Sequence, residues 1–309
     1  MGTIFRGYLL HFVFMFEPTL SKVVVPAAGL GTRFLPFSKV VPKEMLPIVD
    51  KPAVQYIAEE AVASGAKQML LVTSRHKECM ENHFDVAVEL EAVLRERKKD
   101  SELQRLSQLS GLISVASVRQ QQPLGLGHAV LCAKPWTQDA PFGVMLPDDL
   151  LEAQTPCLQS LWTCFARFQF SMGVVALMEV PWEKTSQYGI VSAKHLDEDV
   201  VQIHDIVEKP PSNPPSNLAV IGRYVLPPSV FGELEKVGRG AGGEIQLTDA
   251  LARMVKGPGL LGVLFRGRRF DTGDKLGFLE ANVALALKRP ELREAFLAYL
   301  RRTVEAESP

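Results

Sequence analysis

The sequence predicts an α/β fold in which a mixed, mostly parallel central sheet is flanked by helices. Two observations lead to this prediction. Short apolar runs alternate with a helical segment in "VVVPAAG", "KPAVQYIAEEAVASGAK" and "QMLLVTS". The order of strand, helix and strand then recurs in "LISVASV", "GHAVLCAKP" and "FGVMLPDD". Because two strands joined by a crossover helix form a parallel unit, the first half of the chain is predicted to be doubly wound.

The helices of this half follow from the spacing of apolar residues. Between Ala53 and Val62 the apolar residues recur on one side of a helical repeat, and Gly65 ends the segment. The charged segment "MENHFDVAVELEAVLRERKKD" is predicted to form one exposed helix before the strand "LISVASV". Each strand is short and almost wholly apolar, which is typical of a sheet covered on both faces.

From about residue 151 the pattern changes, yet no stretch has the composition of a linker, so one domain with insertions is expected. A helix is predicted from Leu158 to Phe168. The segments that follow are predicted as strands "MGVVALMEV", "GIVSAK", "VVQIHDIVEKP" and "LAVIGRYVLP", a helix "GGEIQLTDALARMV", a strand leading to a loop in "GVLFRGRRFDTGD", and a helical tail from Lys275. Proline and serine crowd "EKPPSNPPSN", which predicts a surface loop.

The composition is that of a globular protein. The 309 residues are 47% hydrophobic and 22% charged, with a formal net charge of −1. This balance gives no electrostatic footprint for nucleic acid or a membrane, so neither is expected as a partner. The four cysteines lie far apart without a C-x-x-C pair, which argues against a zinc site or a disulfide framework and indicates a reducing, cytoplasmic compartment.

The apolar stretch "IFRGYLLHFVFMF" near the N-terminus resembles the core of a signal peptide only weakly. Arg6 and His11 interrupt it, and no A-x-A-like cleavage site follows. We expect an extension ahead of the first strand, and whether Met1 or Met15 is the true start stays open.

The first strand leads into the loop "AAGLGTRF", at the edge of the sheet where ligands bind in open α/β folds. The loop is neither a P-loop nor a G-x-G-x-x-G fingerprint. Gly29 and Gly31 would still let the backbone approach a base or a phosphate closely. Arg33 and Lys43 add positive charge beside them. By itself this pattern also fits a turn with surface cations.

Two further loops place carboxylates after apolar strands. "VMLPDD" ends one strand with Asp148 and Asp149, and "RRFDTGD" ends another with Asp271. Hard oxygen ligands at strand ends suit Mg²⁺ shared with phosphate. Such aspartates are often helix caps or turn formers instead. Two of them in a sheet that also has a cationic first loop favour the metal site.

These motifs, with others, carry a family resemblance. In order they are "AAGLGTRFLP", "PKEMLPIVDKP", "RQQQPLGLGHAV", "LPDD", "YGIV", "VEKP", "GRYVL", "GGEIQLTDA" and "FDTGDKLGF". The series resembles the sugar-phosphate nucleotidylyltransferases, most closely the bacterial UTP–glucose-1-phosphate uridylyltransferases, from about Lys22 to Arg289. The resemblance implies a Rossmann-like fold of the nucleotide-diphospho-sugar transferase type. It also implies an N-terminal extension over 1–20, a catalytic domain over 21–288 and a C-terminal helical tail over 289–309.

The resemblance implies a nucleotide end of the site. Ala28 and Gly29 would meet the uracil through backbone groups, in the loop that includes Gly31, while Arg33 holds the triphosphate and Lys43 reaches phosphate oxygens. The family's base-reading glutamine stands five residues before a glycine, a spacing that Gln120 and Gly125 satisfy. Because Gln121 and Gln122 follow directly, that register stays less certain, and an exposed polar turn is the alternative.

The resemblance also implies a sugar end and a metal. Gly189 would lie close to the glucose ring, Glu208 would bind its hydroxyls, and Lys209 would bind the sugar phosphate. Asp148 and Asp271 correspond to the metal-binding aspartates for Mg²⁺, with Asp149 supporting Asp148. Glu244 and Thr248 are expected only to shape the site, since a helix cap explains them equally well.

The implied reaction is an in-line displacement. The phosphate of glucose 1-phosphate would attack the α-phosphorus of UTP and expel pyrophosphate, giving UDP-glucose, with Arg33, Lys43 and Lys209 neutralising charge. The absence of an H-x-H pair among the six histidines counts against uridylyl exchange through a histidine nucleophile. A homo-dimer or homo-tetramer is expected from the resemblance.

Two alternatives stay open at the level of sequence. One is a nucleotidylyltransferase for another base or another sugar phosphate, since base and sugar choice depend on pocket shape. The other is a catalytically silent homologue that binds nucleotide sugar as a regulator. The second is disfavoured, because such relatives lose metal aspartates or loop cations and this chain retains them.

Overall fold

A computed structural model describes residues 19–240 and 243–307; the predicted extension over 1–20 therefore lies largely outside the described residues. The strands are β1 (Lys22–Pro26), β2 (Pro47–Ile48), β3 (Lys51–Pro52), β4 (Gln68–Thr73), β5 (Ser114–Arg119), β6 (Phe142–Met145), β7 (Asp149–Glu152), β8 (Gly173–Glu179), β9 (Gly189–His195), β10 (Val200–Glu208), β11 (Leu218–Leu226), β12 (Leu260–Leu264) and β13 (Arg268–Asp271).

The helices are α1 (Ala53–Ala63), α2 (Cys79–Asn82), α3 (Val88–Glu96), α4 (Asp100–Ser110), α5 (Leu126–Cys132), α6 (Lys134–Thr137), α7 (Cys157–Arg167), α8 (Ser229–Leu234), α9 (Leu247–Val255), α10 (Lys275–Ala286) and α11 (Pro290–Glu307). Short 3₁₀ turns lie at Thr32–Phe34, Phe37–Lys39, Lys43–Met45 and Trp182–Gln187. Within the described ranges no helix is both long and apolar enough to cross a bilayer.

Nine strands form one mixed sheet in the order β5-β4-β1-β6-β11-β8-β12-β10-β9. The strands β5, β4, β1 and β6 are parallel neighbours, as are β8 and β12, while β11 and β10 pair antiparallel with their neighbours. The predicted mixed α/β architecture is confirmed. Because β1, β5 and β6 run the same way, the loops that follow them emerge at one edge of the sheet.

The core lies on both faces of this sheet. Along β1, Val23 and Val25 pack into one apolar cluster, and Val24 packs into the other. Successive side chains of a strand point to opposite faces, so an uninterrupted apolar run requires helices on both sides. Helices α1 and α7 cover the first face, and α5 and α9 cover the second. The sheet is therefore a rigid platform for its edge loops.

Three details of the predicted elements are corrected. The segment predicted as one exposed helix contains the end of α2, the whole of α3 and only the first residue of α4, and Lys98 between α3 and α4 has a φ of +55° that a helix cannot continue. The helix predicted over "GGEIQLTDALARMV" begins only at Leu247. The strand before the aspartate pair ends at Met145, and Asp149 instead opens β7, which pairs antiparallel with β13.

Candidate active site

The loop after β1 keeps its backbone accessible. A Cβ added at Gly29 would meet nothing within 4 Å, so this position leaves open space beside the chain. Gly31 has a φ of +66°, a conformation that favours glycine, and its carbonyl accepts a hydrogen bond of 2.7 Å from the Ser38 hydroxyl. Ala28, by contrast, is buried against the sheet. The predicted nucleotide loop is thus a turn held in one conformation, with open space beside Gly29.

Two cations border this loop, as predicted. Arg33 lies in the 3₁₀ turn Thr32–Phe34 with an exposed side chain, and it forms no ion pair with any residue of the described ranges. The Cβ of Lys43 lies 3.4 Å from the point that a Cβ on Gly31 would occupy. The charge of Arg33 is close enough to oppose protonation of Lys43. Positive charge is therefore concentrated beside the turn.

A buried ion pair that the sequence did not reveal fixes the loop to its neighbour. The Lys77 ammonium lies 3.0 Å from the Glu44 carboxylate, and it also donates to the carbonyl of Ala27. Both side chains are almost fully buried. Burial lowers the pKa of Lys77, and Glu44 opposes that shift. The pair thus ties the start of the glycine loop to the segment that positions Lys43.

Asp148 and Asp271, predicted as metal ligands, lie next to one another. The backbone N–H and the hydroxyl of Thr272 both donate to the carbonyl of Asp148, over 2.8 and 2.9 Å. A Cβ added at Gly273 would lie 2.8 Å from Asp148 Oδ2 and 3.0 Å from Asp271 Oδ1. Both carboxylate oxygens therefore border one small space that only a residue without a side chain leaves open.

The third member of this cluster is Lys43. Its ammonium lies 2.5 Å from Asp148 Oδ2. Burial raises the pKa of the Asp148 carboxyl, but the Lys43 ammonium, together with a backbone hydrogen bond and Arg269, holds that pKa below its ordinary value. Burial lowers the pKa of the Lys43 ammonium, but Asp148 and Glu44 together raise it above its ordinary value. Both groups are therefore charged in the neutral range, and the cation of the PKEM segment faces the acidic site.

Arg269 links the carboxylates of Asp149 and Asp271, and it was not singled out in the sequence analysis. Its guanidinium lies 2.5 Å from Asp149 Oδ1 and 3.2 Å from Asp271 Oδ2, and it donates to the Tyr188 hydroxyl over 3.0 Å. Asp149 is buried, and its other oxygen accepts from the N–H of Gly222 over 3.0 Å. Asp149 is thus a structural partner of the turn, while Asp148 faces the open side with Lys43.

A second buried arginine fixes the backbone on both sides of Asp148. Arg223 is 0% exposed and contacts the Glu60 carboxylate of α1 three times, at 2.7 to 3.1 Å. Its remaining N–H groups donate to the carbonyls of Leu146, Gly222 and Asp149. Burial lowers the pKa of the Arg223 guanidinium, but Glu60, with a smaller contribution from Asp149, helps to raise it above its ordinary value. The motif "GRYVL" therefore supports the acidic turn and does not line the site.

Among the three consecutive glutamines the structure separates one from the others. Gln120 is buried at the end of β5, and its amide nitrogen donates to the carbonyl of Gly125 over 3.0 Å, whereas Gln121 and Gln122 are exposed. Gly125 has a φ of +97°, and a Cβ there would lie 2.7 Å from the Cβ of Glu244. The predicted spacing of five residues thus corresponds to a direct contact. Glu244 packs against this loop.

The residues predicted for the sugar end meet at a second corner. Gly189 and Glu208 are register partners of β9 and β10. The Thr248 hydroxyl donates to Glu208 Oε2 over 2.6 Å, which explains the "LTDA" motif beyond a helix cap. Lys209 is exposed with a φ of +44°, and its N–H donates to the carbonyl of Tyr188 over 2.9 Å. Through Tyr188 this corner is linked to Arg269.

The donor set suits a hard divalent cation. Asp148 and Asp271 offer carboxylate oxygens that border one space, and Mg²⁺ usually takes one or two carboxylates and completes its shell with water and substrate phosphates. Within 19–240 and 243–307 no cluster of three or more His, Cys, Asp or Glu side chains could hold a metal by itself.

Comparison with known proteins gives consistent similarities. A family model described as nucleotidyl transferase matches residues 22–288. The chain is 47% identical over 288 residues to the UTP–glucose-1-phosphate uridylyltransferase YngB of Bacillus subtilis, across 93% of this chain and 96% of that protein. The UTP-bound UGPase of Acinetobacter baumannii superposes with a TM-score of 0.84 at 41% identity, over 91% and 99% of the two chains. A UDP-glucose pyrophosphorylase complexed with UDP-glucose superposes with a TM-score of 0.80 at 40% identity, over 88% and 100%.

Proposed function

The chain belongs to the nucleotidyl transferase family, and from that premise we propose that it is a UTP–glucose-1-phosphate uridylyltransferase. It transfers the uridylyl group of UTP to glucose 1-phosphate and releases UDP-glucose and pyrophosphate. The observation that carries this proposal is the convergence of Lys43, Asp148 and Asp271 beside an open glycine turn.

In the proposed complex the nucleotide lies along the turn after β1. Ala28, Gly29 and Gly31 offer backbone groups to the base and the phosphates, and the open space at Gly29 supports this placement. Arg33 and Lys43 bind the triphosphate, since an exposed guanidinium and an ammonium border the turn. Gln120, held against Gly125, faces the uracil edge.

Glucose 1-phosphate occupies the corner formed by β9 and β10. Gly189 leaves room for the sugar ring, and Glu208 accepts hydrogen bonds from its hydroxyls while Thr248 holds the carboxylate in place. Lys209 binds the sugar phosphate, because its ammonium is exposed on a fixed backbone and lies 3.3 Å from Glu208 Oε1, next to the proposed sugar position. The left-handed backbone of Lys209 is a local strain of the kind found at ligand sites.

Asp148 and Asp271 would hold Mg²⁺, which when bound neutralises phosphate charge at the reacting centre. The chain's own residues supply the rest of the catalysis. Two anions must approach each other, so Arg33, Lys43 and Lys209 offset their repulsion and fix the line of attack.

The bonding changes balance without a covalent enzyme intermediate. A phosphate oxygen of glucose 1-phosphate forms a bond to the α-phosphorus of UTP, and the bond from that phosphorus to the bridging oxygen of the β-phosphate breaks. The bridging oxygen leaves with pyrophosphate. No proton has to be removed, because the attacking oxygen is already anionic. This is why the site holds cations and no histidine as nucleophile.

Pyrophosphate release from UTP and glucose 1-phosphate, measured with and without Mg²⁺, tests the proposal. Asp271→Asn and Asp148→Asn should each lower the rate by about 10² or more, by analogy with the loss of a charge-stabilising donor. Binding of Mn²⁺ in the presence of UTP, followed by electron paramagnetic resonance, should weaken in both variants. Asp139→Asn serves as the control, since Asp139 is exposed and forms no ion pair within the described residues. Full activity of Asp271→Asn would contradict the proposal.

The proposed function also includes the domain bounds, the oligomeric state and the location of the protein. The catalytic domain spans residues 21–288, with the helices after 289 as a C-terminal tail. The protein forms a homo-dimer or homo-tetramer, and the exposed Leu276, Leu279 and Tyr299 of the last two helices support such an assembly. A cytoplasmic location agrees with four cysteines that are all free thiols.

A further inference from the structure

The amide group of Gln120 is held in one orientation by two acceptors. Its nitrogen lies 3.0 Å from the carbonyl oxygen of Gly125 and 2.9 Å from Nδ1 of His128. A carboxamide NH₂ has two N–H donors, so this pair of contacts uses both. The carbonyl oxygen of the amide accepts no hydrogen bond from any residue of 19–240 and 243–307. The side chain therefore offers a single unused polar group, which is an acceptor.

His128 must act as an acceptor in this contact. The Gln120 nitrogen can only donate, so Nδ1 has to carry a lone pair, and the imidazole proton is then on Nε2. His128 lies in the first turn of α5, three residues after Gly125. Cys132, one turn further along, places its sulfur 3.9 Å from the same Nδ1. The imidazole is thus the second hydrogen-bond acceptor of the amide nitrogen, in addition to the carbonyl of Gly125.

The other acceptor, the carbonyl of Gly125, belongs to a loop that is tied down by a distant segment. The N–H of Ile245 donates to the carbonyl of Leu124 over 2.7 Å, and the N–H of Gly127 donates to the carbonyl of Ile245 over 2.9 Å. A Cβ at Gly125 would lie 2.9 Å from the carbonyl oxygen of Ile245, so the loop packs there without a side chain. The orientation of the amide is therefore set before any ligand arrives.

We propose that His128 is a positioning residue for base selection, which fixes the Gln120 amide with its oxygen toward the base. This inference rests on the proposed function, in which Gln120 faces the uracil. Uracil presents an N3–H donor on the edge that an amide oxygen can meet. Cytosine presents an unprotonated N3 acceptor at the same place, so two lone pairs would face each other. Thymine shares the imide edge of uracil, and the fixed amide does not separate these two bases.

The proposal assigns discrimination to the orientation of one side chain. Without His128 the Gln120 amide keeps only one of its two hydrogen-bond acceptors. A rotation of the amide by about 180°, which presents its NH₂ group to the base, then costs less free energy. That orientation suits cytosine and opposes uracil. Loss of one hydrogen bond of ordinary strength corresponds to a change of roughly two- to tenfold in the balance between the two orientations.

The test compares His128→Phe with His128→Asn in the full chain. Phenylalanine keeps a flat ring without an acceptor, whereas asparagine can place its Oδ1 near the position of Nδ1. We measure kcat/KM for UTP, CTP and dTTP with saturating glucose 1-phosphate. For His128→Phe the CTP/UTP ratio should rise about two- to tenfold, while the dTTP/UTP ratio stays unchanged. His128→Asn should restore the wild-type CTP/UTP ratio.

A double-mutant comparison separates positioning from general packing. In a Gln120→Leu background no amide remains to be oriented, so adding His128→Phe should leave the CTP/UTP ratio where Gln120→Leu put it. An additive effect of the two changes would overturn the proposal, as would an unchanged ratio in His128→Phe or an equal shift of the dTTP/UTP ratio. If His128→Phe does not fold, equilibrium binding of UTP and CTP to His128→Asn and Gln120→Leu decides the same point: wild-type discrimination in Gln120→Leu overturns the proposal.

The failure of the proposed function would look different. A wild-type protein that releases no pyrophosphate from UTP and glucose 1-phosphate with Mg²⁺ would refute the activity itself. An active wild-type protein whose CTP/UTP ratio does not move in His128→Phe, although it moves in Gln120→Leu, would refute only the role of His128.

Discussion

Replacing Glu60 by glutamine removes the only carboxylate that forms an ion pair with the buried Arg223 guanidinium within the described residues. Arg223 is 0% exposed, and the Glu60 side chain is 11% exposed. The three contacts between them measure 2.7 to 3.1 Å, and Glu60 also accepts from the N–H of Leu158. In Glu60→Gln the shape of the side chain is kept, but an NH₂ group replaces one acceptor oxygen, so a donor faces a donor.

The size of the effect follows from burial. A buried charge whose partner is removed stays desolvated without compensation, which costs about 3–5 kcal/mol. Water cannot reach the guanidinium, and its other N–H groups are already committed to three backbone carbonyls. At about 2–4 °C per kcal/mol for a large domain, the melting temperature should fall by roughly 6–20 °C. Since Arg223 holds the carbonyls of Leu146 and Asp149, the rate of the folded variant should also fall.

The neighbouring residue provides the matched control. Glu59 lies on the same helix and pairs with Lys51 at 2.7 Å, but both side chains are about one-third exposed. Glu59→Gln makes the same chemical change with the same helix propensity, and an exposed pair is worth about 0–1 kcal/mol. Thermal unfolding followed by circular dichroism, with urea titration for the free energy, measures both. Equal destabilisation by the two variants would refute the argument from burial.

Three further outcomes follow from the site. Thr248→Val removes the hydroxyl that donates to Glu208, a charged acceptor, so kcat/KM for glucose 1-phosphate should fall about 10- to 100-fold while KM for UTP is unchanged. In Gly189→Ala the added methyl would lie 3.4 Å from Glu208 Oε2, which the fold tolerates, so KM for glucose 1-phosphate should rise without a change in melting temperature. Because the Lys43 ammonium helps to hold the pKa of Asp148 below its ordinary value, their pairing stabilises the protein above about pH 4 and is lost as the pH falls further. In metal-free buffer the melting temperature should therefore fall more steeply with acidification in the wild type than in Asp148→Asn.

Those parts of the site that are short and local were predictable from the sequence. The glycine turn, the cations beside it and the strand-end aspartates are contiguous motifs, and the structure places Lys43 against Asp148 and Asp271 near Asp148. The apolar strands also predicted a covered mixed sheet. Periodicity is a local signal, so it located the strands but extended one helix through Lys98, where the backbone turns left-handed.

The supporting residues could not be predicted in the same way. Nothing in the sequence around Lys77 and Arg269 singles them out, and although Arg223 lies in the motif "GRYVL", a charged residue is expected on the surface. Their burial depends on partners far along the chain, such as Glu60, which is 163 residues from Arg223. A pairing over that distance leaves no periodic trace. The one signal in the sequence was the position of Arg223 at the start of the apolar run in "GRYVL", where a buried side chain is expected.

The motifs are therefore held in place partly by contacts with one another and partly by residues outside them, such as Lys77 and Glu60. Lys43 meets Asp148 across 105 positions of the chain, and Thr272 meets Asp148 across 124. Each contact fixes the position of a short loop. The sequence of the loop itself determines no more than a single turn. A geometry fixed to fractions of an ångström needs such partners, because positioning of two repelling anions fails if the cations can drift. It follows that a chain with every motif intact but without Glu60 or Lys77 would resemble a transferase in sequence and act as a poor one.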